Sequence, residues 1–543
     1  MWVDNDFKPK IEIKIEFEVP SQIDHKAVRA WVNHLRPYPD LVFESFAKFK
    51  TKDDIAILFI EYCFHFISTL FQICKIPVFD LPQLVLIERL PGQENHRQAK
   101  FVLNGVRFLP VTVYEQVCNA GFYCTSWANG RAMRQTDRVF LYTYLESRLI
   151  KPLSTMVARG KSTLPVLRIA SGLGIPFFHL GMGVFQVGWG SKARRLDRSS
   201  TDGDSAIGSK LSAHKVGTAN LLRMAGIPTP SQRTFRSFGE IKLVLNQLPY
   251  PIVIKPTDCE RGEGVTIDVM SSEDVKGAFE IALAASARKE VLVEKQVTGV
   301  CHRFFIACGS LLYAVRRNPM SVFGDGQRTV EQLLLDECTT QGEKAPWNRS
   351  EIKPIDAEAL LSLRLAGFSR DSIPSAGTRV PLRRIESTQN GGIDEDVTES
   401  AHPENISLAL RAATMLGIEI AGVDIISPEI SRPWYENGAM INEVNFAPLL
   451  GGAEISRSYL PTFFSRLIEG NGRIPVDVYD NQATAREAFF RNRENGMRCF
   501  FVSEQQTLDD CLEDIHLSCS SLPDKIIALL CRSDVDAIVV WRP

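Results

Sequence analysis

Gly422-Val-Asp424-Ile-Ile, a polar connection, Asn437-Gly438, then Ala-Met-Ile-Asn-Glu443-Val-Asn445 make up the stretch whose reading decides the fold. An Asn-Gly pair between apolar runs predicts a tight hairpin turn, because both residues accept the positive φ it needs. The flanks then read as two neighbouring antiparallel strands. Glu443 and Asn445 are two apart and share one face of the second strand. Asp424 lies among Val423, Ile425 and Ile426 on the first strand and can face them. Two carboxylates and an amide oxygen converging inside apolar strands repel unless positive charge lies between them. Hard oxygen donors of this kind suit Mg²⁺, which keeps some water and bridges to substrate phosphates. The same residues also read as a satisfied polar pair on a half-exposed hairpin.

Outward from this stretch, the 543 residues are enough for roughly two to four domains. Apolar residues make up 45% and charged residues 23%, the balance of a soluble globular protein. A formal net charge of −2 argues against a nucleic-acid partner. The twelve cysteines show no C-x-x-C spacing, which disfavours a zinc site or disulfide framework and points to reduced thiols in the cytoplasm. The opening Met-Trp-Val-Asp-Asn-Asp has neither the basic nor the apolar region of a signal peptide. Ile55 to Cys74 is long and mostly apolar, yet Glu61, His65, Ser68, Thr69 and Gln72 recur in it at helical spacing. A buried amphipathic helix, not a membrane span, is expected, with His65 packed and hydrogen-bonded.

Strict alternation over residues 11–19 predicts a strand with one wet face. Helices are expected at His25 to Leu35 and at Ile55 to Cys74. A strand-like run follows at Phe101 to Tyr114, and a helix at Arg138 to Val157 with Pro152 marking a kink or end. These make an α+β N-terminal domain over 1–165, followed by a connecting segment over 166–209. Lys210 to Met224 reads as a helix carrying Lys215. Ile252 to Pro256 reads as a short buried strand with Lys255 at its exit, before a loop containing Gly262 and Gly264. Such a loop can cover phosphates with backbone N–H groups while a neighbouring lysine supplies charge. Val291 to Val297 is another strand, and Phe304 to Arg317 a hairpin around Gly309-Ser310 ending in Arg316-Arg317. The main domain is expected over 210–472 with an exposed insertion near 338–372. A small α/β appendage over 473–543 carries no phosphate-binding Gly-x-x-Gly-Lys-Thr.

In this order the parts resemble the ATP-grasp superfamily, and within it the ATP-grasp half of cyanophycin synthetases, from about residue 166 to 470. The matching motifs include Arg194-Arg195, Lys215 with Ala225-Gly226-Ile227-Pro228, and Arg316-Arg317-x-Pro319 with Gly324-Asp325-Gly326. Gly391-Gly392-x-Asp394-x-Asp396-Val397-Thr398 with His402-Pro403, and the closing Asp424 and Glu443-Val-Asn445 strands, match as well. The resemblance implies an α+β ATP-grasp fold, two subdomains gripping ATP and Mg²⁺. It implies Lys215 and Lys255 as phosphate-contacting lysines, and Gly262 and Gly264 in the lid loop. Glu294, Lys295 and Val297 become the adenine strand, and Asp424, Glu443 and Asn445 the magnesium ligands. Arg316 and Arg383, with Lys255, are placed at the acyl phosphate, whereas His302 and His402 read as packed histidines. Two departures stand out: Cys301 replaces the acid that usually holds ribose, and Glu386 to Gly392 differs from the usual acceptor loop. No Mur-ligase-like half is seen after the match. The expectation is an ATP-dependent carboxylate–amine ligase that forms an acyl phosphate and acts on amino acids or peptides. It would be a cytoplasmic homo-oligomer without nucleic-acid or membrane partners. A small-substrate ligase like glutathione synthetase, or a non-catalytic ATP-binding scaffold, are the alternatives.

Overall fold

The computed structural model describes residues 7–38, 55–157, 160–259, 262–386, 391–519 and 521–542. The hexapeptide read for a signal sequence and the acceptor-loop residues Ser387 to Asn390 lie outside the described residues. The mixed helices and sheets give the α+β class expected. Internal contacts divide the chain into two units. The first comprises Met1–Asp202, Ala345–Asn348 and Leu449–Pro543; the second comprises Gly203–Lys344 and Arg349–Pro448.

In the first unit, Lys10–Glu18 buries alternate apolar residues and pairs antiparallel with His96–Asn104, which also pairs with Gln83–Arg89. The helix Ile55–Ile73 has the length and apolarity of a membrane span but is mostly buried within the structure. Its polar stripe is buried too: His65, Ser68, Thr69 and Gln72 all face inward. Burial raises the Glu61 carboxyl to about 7. It packs on the helix Val111–Ala128, where Gly121 allows close approach; a Cβ there would stand 2.3 Å from Ile67 Cγ1. The strand-like reading of Phe101 to Tyr114 therefore holds only to Asn104, and β-branched Val111, Thr112 and Val113 begin a helix. Tertiary burial outweighs their strand propensity. Residues 166–209 hold more than a connection: Phe177–Gly181, Val184–Val187, Arg194–Asp197 and Ser200–Thr201 form an antiparallel sheet. Phe178 and Trp189 of that segment share one core with Phe500, Leu529 and Ile538 of the C-terminal segment. That shared core is the physical reason 473–543 does not stand apart as its own unit.

The second unit contains two main sheets. In the four-stranded sheet, Ile252–Pro256 lies between Thr266–Val269 and Val291–Lys295, with Gln232–Phe235 at the far edge. Ile252, Ile254, Val291 and Val293 face the helix Val275–Ala285, leaving Lys255 and Glu294 on the opposite face. The five-stranded sheet runs Ile393–Asp396, Ser310–Asn318, Val300–Ala307, Ile420–Ser427, Met440–Phe446, all antiparallel. Phe304, Ala314, Val423, Ile425 and Val444 cover the helix Pro403–Leu416 on one face. The other face is left for charged residues.

Three local expectations are corrected. Asn437-Gly438 is not a two-residue hairpin turn: Trp434–Asn437 is a helical turn and Gly438, at φ 74°, caps it. The Lys215 helix is two helices, Ala206–Ser212 and Lys215–Met224, because His214 Nδ1 accepts the Gly217 N–H and caps the second. The region around 338–372 is not wholly exposed, since Leu363, with partly buried Ile352, Ile355 and Phe368, packs into a small core with Met320, Val322, Leu333, Leu334, Val380 and Leu382.

Candidate active site

Asp424 and Glu443 stand directly opposite each other on adjacent strands, and Gly422 stands opposite Asn445. Opposed residues share a sheet face, so both carboxylates and the amide lie on the face away from the core. Asn445 Nδ2 donates to Asp424 Oδ2 at 3.2 Å and to the Gly422 carbonyl at 3.3 Å. Asp424 is 3% exposed. Burial alone would raise its carboxyl, but Arg303 overrides that, with help from Arg317 and Asn445, and holds it below the usual carboxylate range. The Arg303 guanidinium is bidentate, with Nε to Oδ1 at 2.7 Å and Nη2 to Oδ2 at 2.6 Å.

The two lysines arrive from different elements and meet one strand. Lys215 Nζ donates to Glu443 Oε1 at 2.8 Å. Lys255 Nζ donates to Glu294 Oε1 at 2.6 Å and to Asn442 Oδ1 at 3.4 Å. Register along the Met440–Phe446 strand jumps at Asn442: Asp424 opposes Glu443, while Ile425 opposes Ile441. Asn442 is thus a β-bulge residue, and the bulge brings its amide to Lys255. Consecutive residues 442 and 443 therefore receive one lysine each.

Lys215, Lys255, Glu294, Asp424, Glu443 and Asn445 are brought together, and Arg316 and Arg383 are not. Arg316 lies opposite His302, on the face other than that of Arg303, and pairs with Glu395 at 3.2 Å. Its neighbour Arg317 shares the Arg303 face and comes within 3.9 Å of Asp424 Oδ2. Arg383 is buried in the insertion core. It donates to the Leu382 and Pro354 carbonyls and to Asp356 Oδ2 at 3.0 Å, with Glu358 at 3.5 Å. Gly262 and Gly264 both have positive φ. A Cβ at Gly264 would stand 2.7 Å from Ala285 Cβ, so this end of the loop is packed as well as turned. Lys295 extends an exposed side chain while its backbone N–H donates to the Ser231 carbonyl, and Val297 is half-buried.

Sequence reasoning missed Arg303, Arg317 and Asn442 as site-facing groups. A lone arginine within Val300–Ala307, an otherwise mostly apolar strand, was a signal for a buried partner. The bulge left none. Cys301 is buried, and burial drives its thiol far up, with Asp424 adding to the effect. His402 caps its helix by accepting the Glu404 N–H.

His302 is 1% exposed and its pKa falls to about 4, through burial first and the Arg316 charge second. It is therefore neutral when folded. Between the unfolded value of 6.5 and about 4 the unfolded chain binds the extra proton, so stability falls as pH drops through that window. The loss should approach about 3 kcal/mol by pH 4. Thermal melts from pH 7 to 4 should show a smaller acid-side drop in His302→Phe than in wild type. Parallel curves would exclude this histidine as a cause.

No protein-family model matches the chain. It is 33% identical over 303 residues to the cyanophycin synthetase of Geminocystis herdmanii, covering 55% of this chain and 35% of that protein. It is 30% identical over 265 residues to the glutathione biosynthesis bifunctional protein of Mannheimia succiniciproducens, covering 46% of this chain and 34% of that protein. A solved bifunctional glutathione synthetase from Pasteurella multocida aligns with TM-score 0.43 and 20% identity, over 68% of this chain and 63% of that chain. The chain spans about a third of the length of the curated relatives it matches. The sequence similarity is thus to amide-forming ligases, over part of their length. Over 303 residues the chain resembles cyanophycin synthetase.

Proposed function

We propose that the second unit binds ATP with Mg²⁺ and joins a carboxylate to an amine. The carboxylate attacks the γ-phosphate and ADP leaves; the amine then displaces phosphate from the acyl phosphate to give an amide. One observation carries the reading: Lys215 and Lys255 converge on consecutive residues Glu443 and Asn442, beside Asp424 and Asn445.

The donor set fits a hard divalent cation. Asp424 Oδ2 accepts from both Arg303 and Asn445, but Asp424 Oδ1 and Glu443 Oε1 each accept one such bond and keep a lone pair for a cation. Asp424, Glu443 and Asn445 would hold Mg²⁺, which when bound offsets charge on the transferring phosphoryl group. Lys215 and Lys255 have carboxylate counter-ions here and exchange them for phosphate oxygens. Arg303 keeps Asp424 ionised and oriented. Arg317, turned to the same face, takes the acyl-phosphate role expected of Arg316. Glu294, Lys295 and Val297 line the adenine, largely through backbone groups, and Gly262 and Gly264 belong to the loop over the phosphates. Amino acids or peptides are the proposed substrates, in a cytoplasmic homo-oligomer without nucleic-acid or membrane partners.

The products should be ADP and phosphate. With ¹⁸O in the donor carboxylate, label should appear in released phosphate, followed by mass spectrometry. Label in AMP would overturn the acyl-phosphate route.

A further inference from the structure

On the open face of the five-stranded sheet, charges run across the strands. Asp394 opposes Arg317, and Arg303 opposes Asp424, which opposes Glu443. Arg317 is two residues from Val315, the partner of Arg303, so all five side chains share this face. Three of the unit's buried or half-buried carboxylates have cations: Asp424 has Arg303, Glu443 has Lys215 and Glu294 has Lys255. Asp394 differs. Its Oδ1 is buried and has no hydrogen-bond partner among the described residues. An unmet buried carboxylate oxygen is costly, and proteins keep one where a donor arrives from elsewhere.

The reaction proposed above requires two substrates of opposite chemistry. The acid needs cations, which Arg303 and Arg317 supply. The amine arrives as an ammonium group and needs an acceptor. We propose that Asp394 receives the ammonium group of the amine substrate and so sets which amines react. This rests on the ligase reading. The position agrees with it: Asp394 sits on the edge strand beyond Arg317, at the end of the row away from Lys215 and Glu443. An amine held there lies beside the arginine that faces the acyl group.

The test uses the full chain with ATP and Mg²⁺, offering glycine, L-aspartate, L-arginine and L-lysine as acid and as amine. Hydroxylamine, uncharged at neutral pH, replaces the amine in a parallel series and traps the acyl phosphate as a hydroxamate. Asp394→Asn should raise the KM for the amino-acid amine by about ten- to a hundredfold, the range for losing a charge-assisted hydrogen bond. Its hydroxamate rate and the KM for ATP should stay near wild type. Asp394→Glu, which keeps the charge, should restore part of the amine affinity. Asn should not lower the melting temperature, because no ion pair is broken; a drop would mark a structural role and overturn the proposal. So would equal losses with amino acids and hydroxylamine, or no loss with either. A wild type that forms no hydroxamate fails the ligase reading itself and takes this proposal with it.

Discussion

Glu443→Gln should lower ADP release by about a hundredfold or more, the scale seen when one preorganised electrostatic group is removed from a phosphoryl or acyl transfer site. The substitution keeps shape and removes one charge from the proposed cation site. It should cost little stability, since Glu443 and Lys215 are both partly exposed and such pairs contribute at most about 1 kcal/mol. Asp424→Asn should be as inactive but also less stable, because it leaves the Arg303 guanidinium without its carboxylate. Steady-state ADP release with matched melting curves separates the two effects. Near-wild-type turnover in Glu443→Gln would remove it from the site.

Arg303→Met should be the most destabilising single change in the second unit. Asp424 is buried and the Arg303 side chain is only 18% exposed, and each shifts the other toward its charged form. The carboxyl is lowered, and the guanidinium is raised despite burial, which alone would lower it. Breaking such a pair from one side costs about 3–5 kcal/mol, because the remaining charge is buried alone. Arg303→Met combined with Asp424→Asn should recover part of that loss, since removing both partners leaves no orphaned charge. Denaturant unfolding of the two singles and the double makes the cycle. A single Arg303→Met within about 1 kcal/mol of wild type would mean that the bidentate pair contributes no more than a surface one.

Much of this architecture was legible because strand periodicity is local. The alternation of Lys10–Glu18 and the apolar run of Ile252–Pro256 each follow from side-chain parity within one segment. The same parity placed Glu443 and Asn445 on one face, as the register bears out. Parity lets only one of Arg316 and Arg317 face the site; Arg316 was expected there, and the structure turns Arg317 to it. That depends on whether His302 or Arg303 turns inward on the neighbouring strand. The choice is made by packing Phe304 and Ala314 against the helix Pro403–Leu416.

By itself, the sequence placed Lys215 on a helix and Lys255, Asp424, Glu443 and Asn445 on strands, because each placement is a property of a short segment. Only the tertiary structure decided which charges meet. Arg303 and Asp424 are 121 residues apart, and Lys215 and Glu443 are 228 apart. No local pattern encodes a pairing across such separations. It follows from strand register, and at Asn442 from a one-residue bulge that brings an amide within reach of Lys255. Arg383 shows the converse: the family resemblance implied a catalytic arginine, yet its guanidinium is buried and paired with Asp356 and Glu358. A buried guanidinium must find its acceptors where the fold brings them, and the fold brought them there.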